Sequence, residues 1–315
     1  MLPVFILVSI TVLGVSTMIA VFTNSLIIVV NLTDKVKGKK LNPSDLMVVT
    51  LCISNILFQL IMLVNDYMSF LDGDTYFTEE VYILSTVLLM LPIYSSFWFT
   101  VCLSINYYLQ IVISTHQILI RLKLAASKLI PYLIISSIFI SLATGLPAAW
   151  NFYRAPQNFN NLSDESEEIT VPRLSVVYLL PSNFISCTIP LILVAIANGL
   201  IIKTLVTHRS DRNAKGELSA RAEGRVRAAR TISCLLFIYV SFYISEILVF
   251  VDVFPQSSPG FCTCLMVIYS YSPAQSIVLI FGSPRLKQVS HSFFRCNRYL
   301  NKENPRTPTV LFINP

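Results

Sequence analysis

Residues 4–40 read VFILVSITVLGVSTMIAVFTNSLIIVVNLTDKVKGKK, a long apolar run followed by a segment that contains four lysines. The apolar part, from Val4 to Asn31, exceeds the ~20 residues that a helix needs to cross the ~30 Å hydrocarbon core of a bilayer. No basic segment precedes it, and it is too long for the apolar core of a secretory signal. We therefore interpret this run as an uncleaved membrane span.

Six more apolar runs of similar length follow the first, and we number the seven predicted spans one to seven. Spans two to seven are Ser44–Val64, Val81–Ser114, Leu129–Trp150, Leu174–Leu205, Thr231–Val253 and Cys262–Gly282. The composition agrees, because 54% apolar residues, 13% charged residues and a mean hydropathy of +0.68 exclude a soluble domain. The sequence thus predicts an all-α membrane protein in which residues 1–282 form a seven-transmembrane helix bundle.

The 23 lysines and arginines are distributed unevenly between the two sides of this bundle. The gaps after spans one, three and five, together with the tail, hold 21 of them, and only Arg154 and Arg173 lie on the other side. Because basic residues are retained in the cytosol, we expect the N-terminus outside and the C-terminus in the cytosol. The net charge of +6 therefore reflects the membrane topology of the chain. We expect contact with anionic membrane lipid and none with nucleic acid.

Residues 283–315 are predicted to form a cytosolic tail that begins with a short amphipathic helix on the membrane surface. Basic residues alternate there with the apolar side chains of Leu286, Val289, Phe293 and Phe294. Cys296 follows in the same segment and is a candidate for palmitoylation, since the segment would hold it beside the bilayer.

The second outer loop, Asn151–Arg173, is polar and acidic and carries the glycosylation triplet that begins at Asn161. The triplet at Asn31 falls on the predicted cytosolic side, so we expect a glycan at Asn161 only. The loop contains no cysteine. A disulfide between this loop and span three is therefore excluded.

The histidines and glycines of the chain do not form an enzyme-like motif. His116, His208 and His291 lie far apart on the predicted cytosolic side, outside any His-Glu-x-x-His pattern, and no Gly-x-Ser-x-Gly sequence is present. The nine glycines form no phosphate-binding loop. We therefore expect no enzyme activity, no metal and no cofactor.

Transporters place ionisable groups near the middle of the membrane, and this sequence has few of them. Carboxylates in or near the predicted spans are Asp45, Glu246 and Asp252. Such a sparse set is a poor proton path, although a seven-span transporter or channel subunit stays open as a remote alternative.

Several local motifs resemble those of the taste receptor type 2 family, the bitter taste receptors. Residues 97–111, FWFTVCLSINYYLQI, are similar to the Trp-x-Ala-Thr-x-Leu-Ser-x-Phe-Tyr-x-Leu-Lys-Ile signature of that family in span three. Residues 205–208, LVTH, resemble its span-five ending, and residues 225–231, RVRAART, resemble its His-x-Lys-Ala-x-Lys-Thr segment. Gln275-Ser276 and the later Leu279-Ile280 resemble its His-Ser-x-x-Leu-Ile motif in span seven.

The chain resembles a divergent member, because Asn55, Ile93 and Gln275 stand where the family has Arg, Asn and His. The resemblance implies a G protein-coupled chemosensory receptor of the plasma membrane that binds bitter compounds. It also implies a heterotrimeric G protein of the gustducin and inhibitory type as partner. The main alternative is a vomeronasal type 1 receptor, a related seven-helix class.

Tyr239, Tyr243 and Glu246 recur at i, i+4 and i+7 and therefore share one face of span six. We predict that this face lines a ligand pocket in the outer half of the bundle. The residues expected to face it are Asn65, Leu89, Ile93, Tyr94, Leu265, Met266 and Tyr269. Such a mostly apolar pocket favours small hydrophobic agonists, and the carboxylate favours a cation or donor. Alternatively, the tyrosines join helices and Glu246 reaches toward the membrane surface.

At the inner ends of spans five and six, Lys203, His208, Arg225, Arg227 and Arg230 form a basic group. The resemblance implies that a heterotrimeric G protein docks there. Retention of basic residues in the cytosol is the alternative account of the same charges.

Overall fold

The computed structural model describes residues 4–36, 38, 42–111, 117–156, 170–213, 220–251, 253–255, 258–290 and 292. Within them, seven helices are long and apolar enough to cross a membrane. The helical bounds of spans one to seven are Val4–Val36, Pro43–Leu71, Glu79–Ile111, Gln117–Gly145, Val176–Asn213, Ala220–Phe250 and Pro259–Gly282. The seven-helix prediction is confirmed. The orientation of the termini stays a prediction.

The helices differ from the predicted spans mainly at their ends. Span two continues to Leu71 and therefore includes Asp66, which the sequence analysis placed beyond the apolar run. Span five begins at Val176 because Leu174 lies in a β-strand. Span six ends at Phe250, and the predicted end at Val253 was wrong because the chain turns at Val251.

Span three is the central helix of the bundle. It contacts spans two, four, five and six, whereas span one packs against spans two and seven. Of the apolar stretch of span three, 72% is buried inside the bundle, compared with 28% for spans one and four. We call the end that holds Leu71 and Glu79 the predicted outer end. The end that holds Ile111 and Ala220 is the predicted inner end.

A β-hairpin that the sequence analysis missed lies at the predicted outer end. Strand β1 (Phe152–Pro156) pairs in antiparallel fashion with strand β2 (Thr170–Leu174), with Phe152 opposite Leu174. Arg154 of β1 forms an exposed salt bridge of 3.0 Å with Glu79 at the start of span three. The hairpin thus ties the second outer loop to span three in a chain that has no cysteine there for a disulfide.

Span five is interrupted near its outer end. Its first helix, Val176–Asn183, contains Pro181 and is followed by a π-helical turn at Phe184–Thr188 before the helix resumes at Ile189. Proline lacks the N–H that a regular helix needs, and π-helical turns shift the side chains that follow them. As a result, Asn183 and Thr188 both reach hydrogen-bond partners on other spans.

Residues 284–290 form a helical segment directly after span seven. Leu286 is buried, and Arg285 donates a hydrogen bond of 3.0 Å to the carbonyl of Val30, which joins this segment to span one. Phe293, Phe294 and Cys296, predicted for the rest of the amphipathic helix, lie outside the described residues. Asn161, the predicted glycosylation site, also lies outside them.

Candidate functional site

A buried network of hydrogen bonds joins spans three, six and seven near the middle of the bundle. The hydroxyl of Tyr239 lies 2.9 Å from Ser96 Oγ and donates to the Ser96 carbonyl at 3.0 Å. Thr100 Oγ1 and Gln275 Nε2 each donate to the same hydroxyl at 2.5 Å. Tyr271 completes the network through Ser96 Oγ at 2.8 Å. We call these five residues the central hydrogen-bond cluster.

Aromatic rings surround this cluster and exclude water from it. Phe97 packs edge to face on Tyr239 with ring centroids 4.7 Å apart, and Phe242 lies 4.5 Å from Tyr271. Phe58 of span two contacts both Phe242 and Tyr271 at 5.9 Å. Hydrogen bonds in such a dry environment are stronger than in water, and a lost partner costs correspondingly more. The cluster is therefore suited to holding the three spans in one arrangement.

Glu246 lies two turns toward the predicted outer end from Tyr239, and its side chain is only 4% exposed. Its Oε2 atom is buried and has no hydrogen-bond partner among the described residues. Tyr94, Cys187 and Tyr243 lie within electrostatic range of the carboxylate. An unpartnered carboxylate inside a membrane protein is costly, so a cation or hydrogen-bond donor from a ligand would be favoured here.

The two tyrosines beside Glu246 are directed to span five. Tyr94 donates a hydrogen bond of 2.8 Å to Asn183 Oδ1, and the Tyr243 hydroxyl lies 2.6 Å from Thr188 Oγ1. The residues of the predicted face of span six therefore bond to different neighbours. The hydroxyl of Tyr239 contacts spans three and seven, whereas that of Tyr243 contacts span five. Both contacts to span five depend on the interrupted helix there.

A second candidate carboxylate, Asp66, is half-buried and was not among the residues predicted from the sequence. It is hydrogen bonded to Tyr269 of span seven, and its Oδ2 atom has no hydrogen-bond partner in the described part of the chain. Tyr76, in the turn beyond span two, lies within electrostatic range, and burial is the main cause that raises its pKa to about 12. Asn55, Gln59 and Asp66 are spaced so that they share one face of span two, on which Asn55 and Gln59 are buried and Asp66 is half-buried, and this spacing is the signal that would have found it.

The other predicted ligand residues occupy the same half of the bundle. Those in or against the main core are Asn65, Leu89, Ile93, Leu265 and Tyr269, and Met266 is half-buried. Tyr94 and Tyr239 are 0% and 1% exposed. Neither side chain therefore borders water-filled space in this conformation. An agonist that contacts them must displace or reorient neighbouring side chains.

The predicted inner basic group faces two different cavities. Arg225 lines one of about 420 Å³ with Tyr107 and Gln110 of span three. Arg227 and Arg230 line another of about 990 Å³ between span six and the region around the end of span seven. Lys203 is exposed, and the side chain of His208 lies outside the described residues. Within the part of the chain that the structure describes, no group of three or more metal-ligating residues occurs.

A comparison with known families decides what kind of membrane protein this is. The family model described as taste receptor protein (TAS2R) matches residues 1–298, a range that includes all seven spans. The chain belongs to the taste receptor type 2 family. The resemblance noted in its motifs is confirmed, and the vomeronasal and transporter alternatives are not favoured.

Individual members of the family are similar over most of their length. Taste receptor type 2 member 40 of Gallus gallus is 28% identical over 282 residues, which cover 88% of this chain and 90% of the relative. Member 119 of Mus musculus is 29% identical over 299 residues, covering 91% and 86%. Member 1 of Chlorocebus aethiops is 26% identical over 283 residues, covering 88% and 92%. This taste receptor is a multi-pass membrane protein of the G protein-coupled type with a bitter taste function, and it is not an enzyme.

Proposed function

We propose that this taste receptor binds small, mostly apolar agonists in the predicted outer half of its bundle, with Glu246 as the main polar anchor. Apolar side chains from spans three and seven would supply most of the contact area, as in other small-molecule sites. Agonists that carry a cation or a hydrogen-bond donor would gain most. The observation that supports this proposal is the buried Oε2 atom of Glu246, which has no partner among the described residues.

The signal would pass from Glu246 to the central hydrogen-bond cluster along span six. Tyr243 and Tyr239 follow Glu246 at one and two turns, and each forms hydrogen bonds to a different neighbouring span. A ligand changes a conformational equilibrium only by binding one state more tightly than the other. An agonist that moves the side chains beside Glu246 would therefore alter the packing of spans five, three and seven together.

The partner at the predicted inner end would be a heterotrimeric G protein of the gustducin and inhibitory type. Family membership supports coupling to a G protein in general. The cavity that Arg225 shares with span three supports docking on that side of span six, with Lys203 and His208 on neighbouring span five. Arg227 and Arg230, predicted for the same role, lie on the opposite side of the helix.

The test is a compound panel applied to cells that express the receptor with a promiscuous G protein and a calcium reporter. Glu246→Gln keeps the shape of the side chain and removes its charge. Cationic agonists should then lose about 10- to 150-fold in potency, the equivalent of one charge-assisted hydrogen bond, and neutral agonists much less. Glu80→Gln removes an exposed carboxylate at the same end and serves as the matched control. An equal loss for all agonists, or a loss of surface expression alone, would make Glu246 a structural residue.

A further inference from the structure

The cavity of about 990 Å³ at the predicted inner end is lined by cations from two separate elements. Arg227 and Arg230 come from span six, and Lys287 comes from the helical segment after span seven. Gln288 and Ser292 of the region after span seven add polar groups. Cations and neutral donors thus converge on one cavity, which is the arrangement that binds phosphate groups in proteins.

Helix geometry separates these cations from those that face span three. Successive residues of a helix are rotated by about 100°, so residues two apart lie on opposite faces and residues three apart lie on nearly the same face. Arg225 accordingly lines the smaller cavity beside span three, whereas Arg227 and Arg230 both line the larger one. The larger cavity therefore lies on the other side of span six from the face on which we place the G protein, and the two cavities share only Gly282 of span seven in their linings.

The charge of the larger cavity is not balanced by its own residues. Glu223 pairs with Arg227 at 2.9 Å, and neither Arg230 nor Lys287 has a salt bridge with another described residue. Three cations and one carboxylate line the cavity, which leaves two positive charges. A phosphomonoester carries about −1.5 to −2 charges at neutral pH and matches that excess.

The cavity also has an apolar wall. Val226 is 48% exposed and Phe281 is 61% exposed, and both line it together with Val278. These residues belong to helices that are long and apolar enough to cross the membrane, so we expect their exposed surfaces to face lipid. A ligand with a phosphate head and hydrocarbon chains can contact both the cationic and the apolar side of the cavity, whereas a soluble phosphate can contact only the cationic side.

We propose that this cavity binds the phosphomonoester headgroup of an anionic phospholipid in the leaflet around the predicted inner end. Arg230 and Lys287 contact the phosphate oxygens, and the acyl chains lie along Val226 and Phe281. The bound headgroup bridges span six and the segment after span seven and so stabilises their present separation. This lipid site goes beyond the agonist and G protein functions proposed above and does not depend on either of them.

The test uses the full-length receptor in nanodiscs of phosphatidylcholine that contain a small fraction of phosphatidic acid, with bound lipid counted by native mass spectrometry. Arg230→Gln with Lys287→Gln should lower the affinity for phosphatidic acid by about 30-fold, since each cation contributes about five- to sixfold and the two factors multiply. The matched control, Arg225→Gln with Lys128→Gln, removes the same charge elsewhere on the predicted inner side and should change the affinity by less than about threefold. Equal losses in the two variants would overturn the site in favour of general attraction to a charged membrane.

A second variant should raise the affinity for the lipid. Misfolding cannot explain such a gain, whereas it could explain the loss expected of the first variant. Glu223→Gln frees Arg227 from its salt bridge and should raise the affinity for phosphatidic acid by about threefold. Phosphatidylserine, with a phosphodiester headgroup, should bind more weakly than phosphatidic acid at matched membrane charge. Soluble glycerol phosphate at the same concentration should leave the lipid bound. Equal binding of phosphatidylserine, displacement by glycerol phosphate, or an unchanged affinity in Glu223→Gln would each contradict the proposal.

Discussion

Replacing Tyr239 by phenylalanine removes one oxygen atom and, with it, the centre of the hydrogen bonds between spans three, six and seven. Three side chains lose a partner, namely Ser96, Thr100 and Gln275. The Ser96 carbonyl also loses the hydrogen bond that the hydroxyl donates, so four hydrogen bonds are lost. Hydrogen bonds between membrane helices contribute about 0.6 kcal/mol each on average, and four of them amount to about 2.4 kcal/mol. A change of that size alters a conformational equilibrium by about 60-fold. The aromatic packing around the ring is retained, so the change is confined to hydrogen bonding.

The packing at the predicted inner end of the bundle indicates whether Tyr239→Phe raises or lowers basal signalling. Span seven approaches span six so closely there that a Cβ on Gly282 would lie 2.4 Å from Thr231 Oγ1. Docking of a G protein between inner helix ends requires those ends to move, so we assign the described conformation to the resting state. Loss of the central hydrogen-bond cluster destabilises that state. Tyr239→Phe should therefore raise basal signalling and reduce the agonist-induced increment for every agonist alike.

The assay is the basal and agonist-dependent calcium response, normalised to receptor at the cell surface. Tyr243→Phe is the matched control, because it lies one turn away on the same helix and loses a single hydrogen bond, to Thr188. That control should change the basal response by about threefold or less. Equal effects of the two substitutions, an unchanged basal response in Tyr239→Phe, or a loss of potency restricted to certain agonists would refute the role assigned to the cluster.

Three further predictions concern packing, charge and topology. Gly282→Ala should lower the free energy of unfolding of the purified receptor by about 1–3 kcal/mol, because the new methyl group overpacks against Thr231. Gly199→Ala should not lower it, since nothing lies within 4 Å of the new Cβ. Asp66→Asn should raise the melting temperature by removing the charge of a half-buried carboxylate whose Oδ2 atom has no hydrogen-bond partner among the described residues, and Asp66→Leu should lower it because the Tyr269 hydroxyl loses its partner. Asn161→Gln should abolish a glycan-dependent mobility shift, whereas Asn31→Gln, at a buried helical position, should not; the opposite pattern would invert the predicted topology.

The number of spans follows from the sequence because span length and charge bias are properties of each segment by itself. Helix ends are harder to predict, since span two continues beyond its apolar run to Leu71 and so includes Asp66. The hairpin is harder still, because Phe152 pairs with Leu174 across an intervening loop. Pairing between distant segments depends on where the helices bring them, and helical periodicity contains no such information.

The sequence predicted which face of span six belongs to the candidate site, but it did not predict which neighbouring spans that face contacts. The spacing of Tyr239, Tyr243 and Glu246 correctly gives one side of span six as buried or half-buried. The hydroxyl of Tyr239 nevertheless contacts spans three and seven, and that of Tyr243 contacts span five. A tyrosine side chain is long enough to cross the gap between helices in either direction. Neighbouring small polar residues such as Ser96 and Thr100 decide which direction is taken, and they look unremarkable in the sequence.

Two departures from the family pattern acquire a common explanation in the structure. Asn55 and Gln275 replace an arginine and a histidine, and each donates a hydrogen bond to a buried oxygen, Asn24 Oδ1 at 3.3 Å and the Tyr239 hydroxyl at 2.5 Å. A buried charge without a partner costs far more free energy than a buried neutral amide, and the amides are tolerated here although Asn55 Oδ1 and Gln275 Oε1 have no hydrogen-bond partner among the described residues. Spans one, two, six and seven are thus joined at these positions by neutral hydrogen bonds. Because the amides do not titrate, changes in pH and salt should have little effect on the coupling between these spans. A substitution that removes one of these hydrogen bonds should have a larger effect.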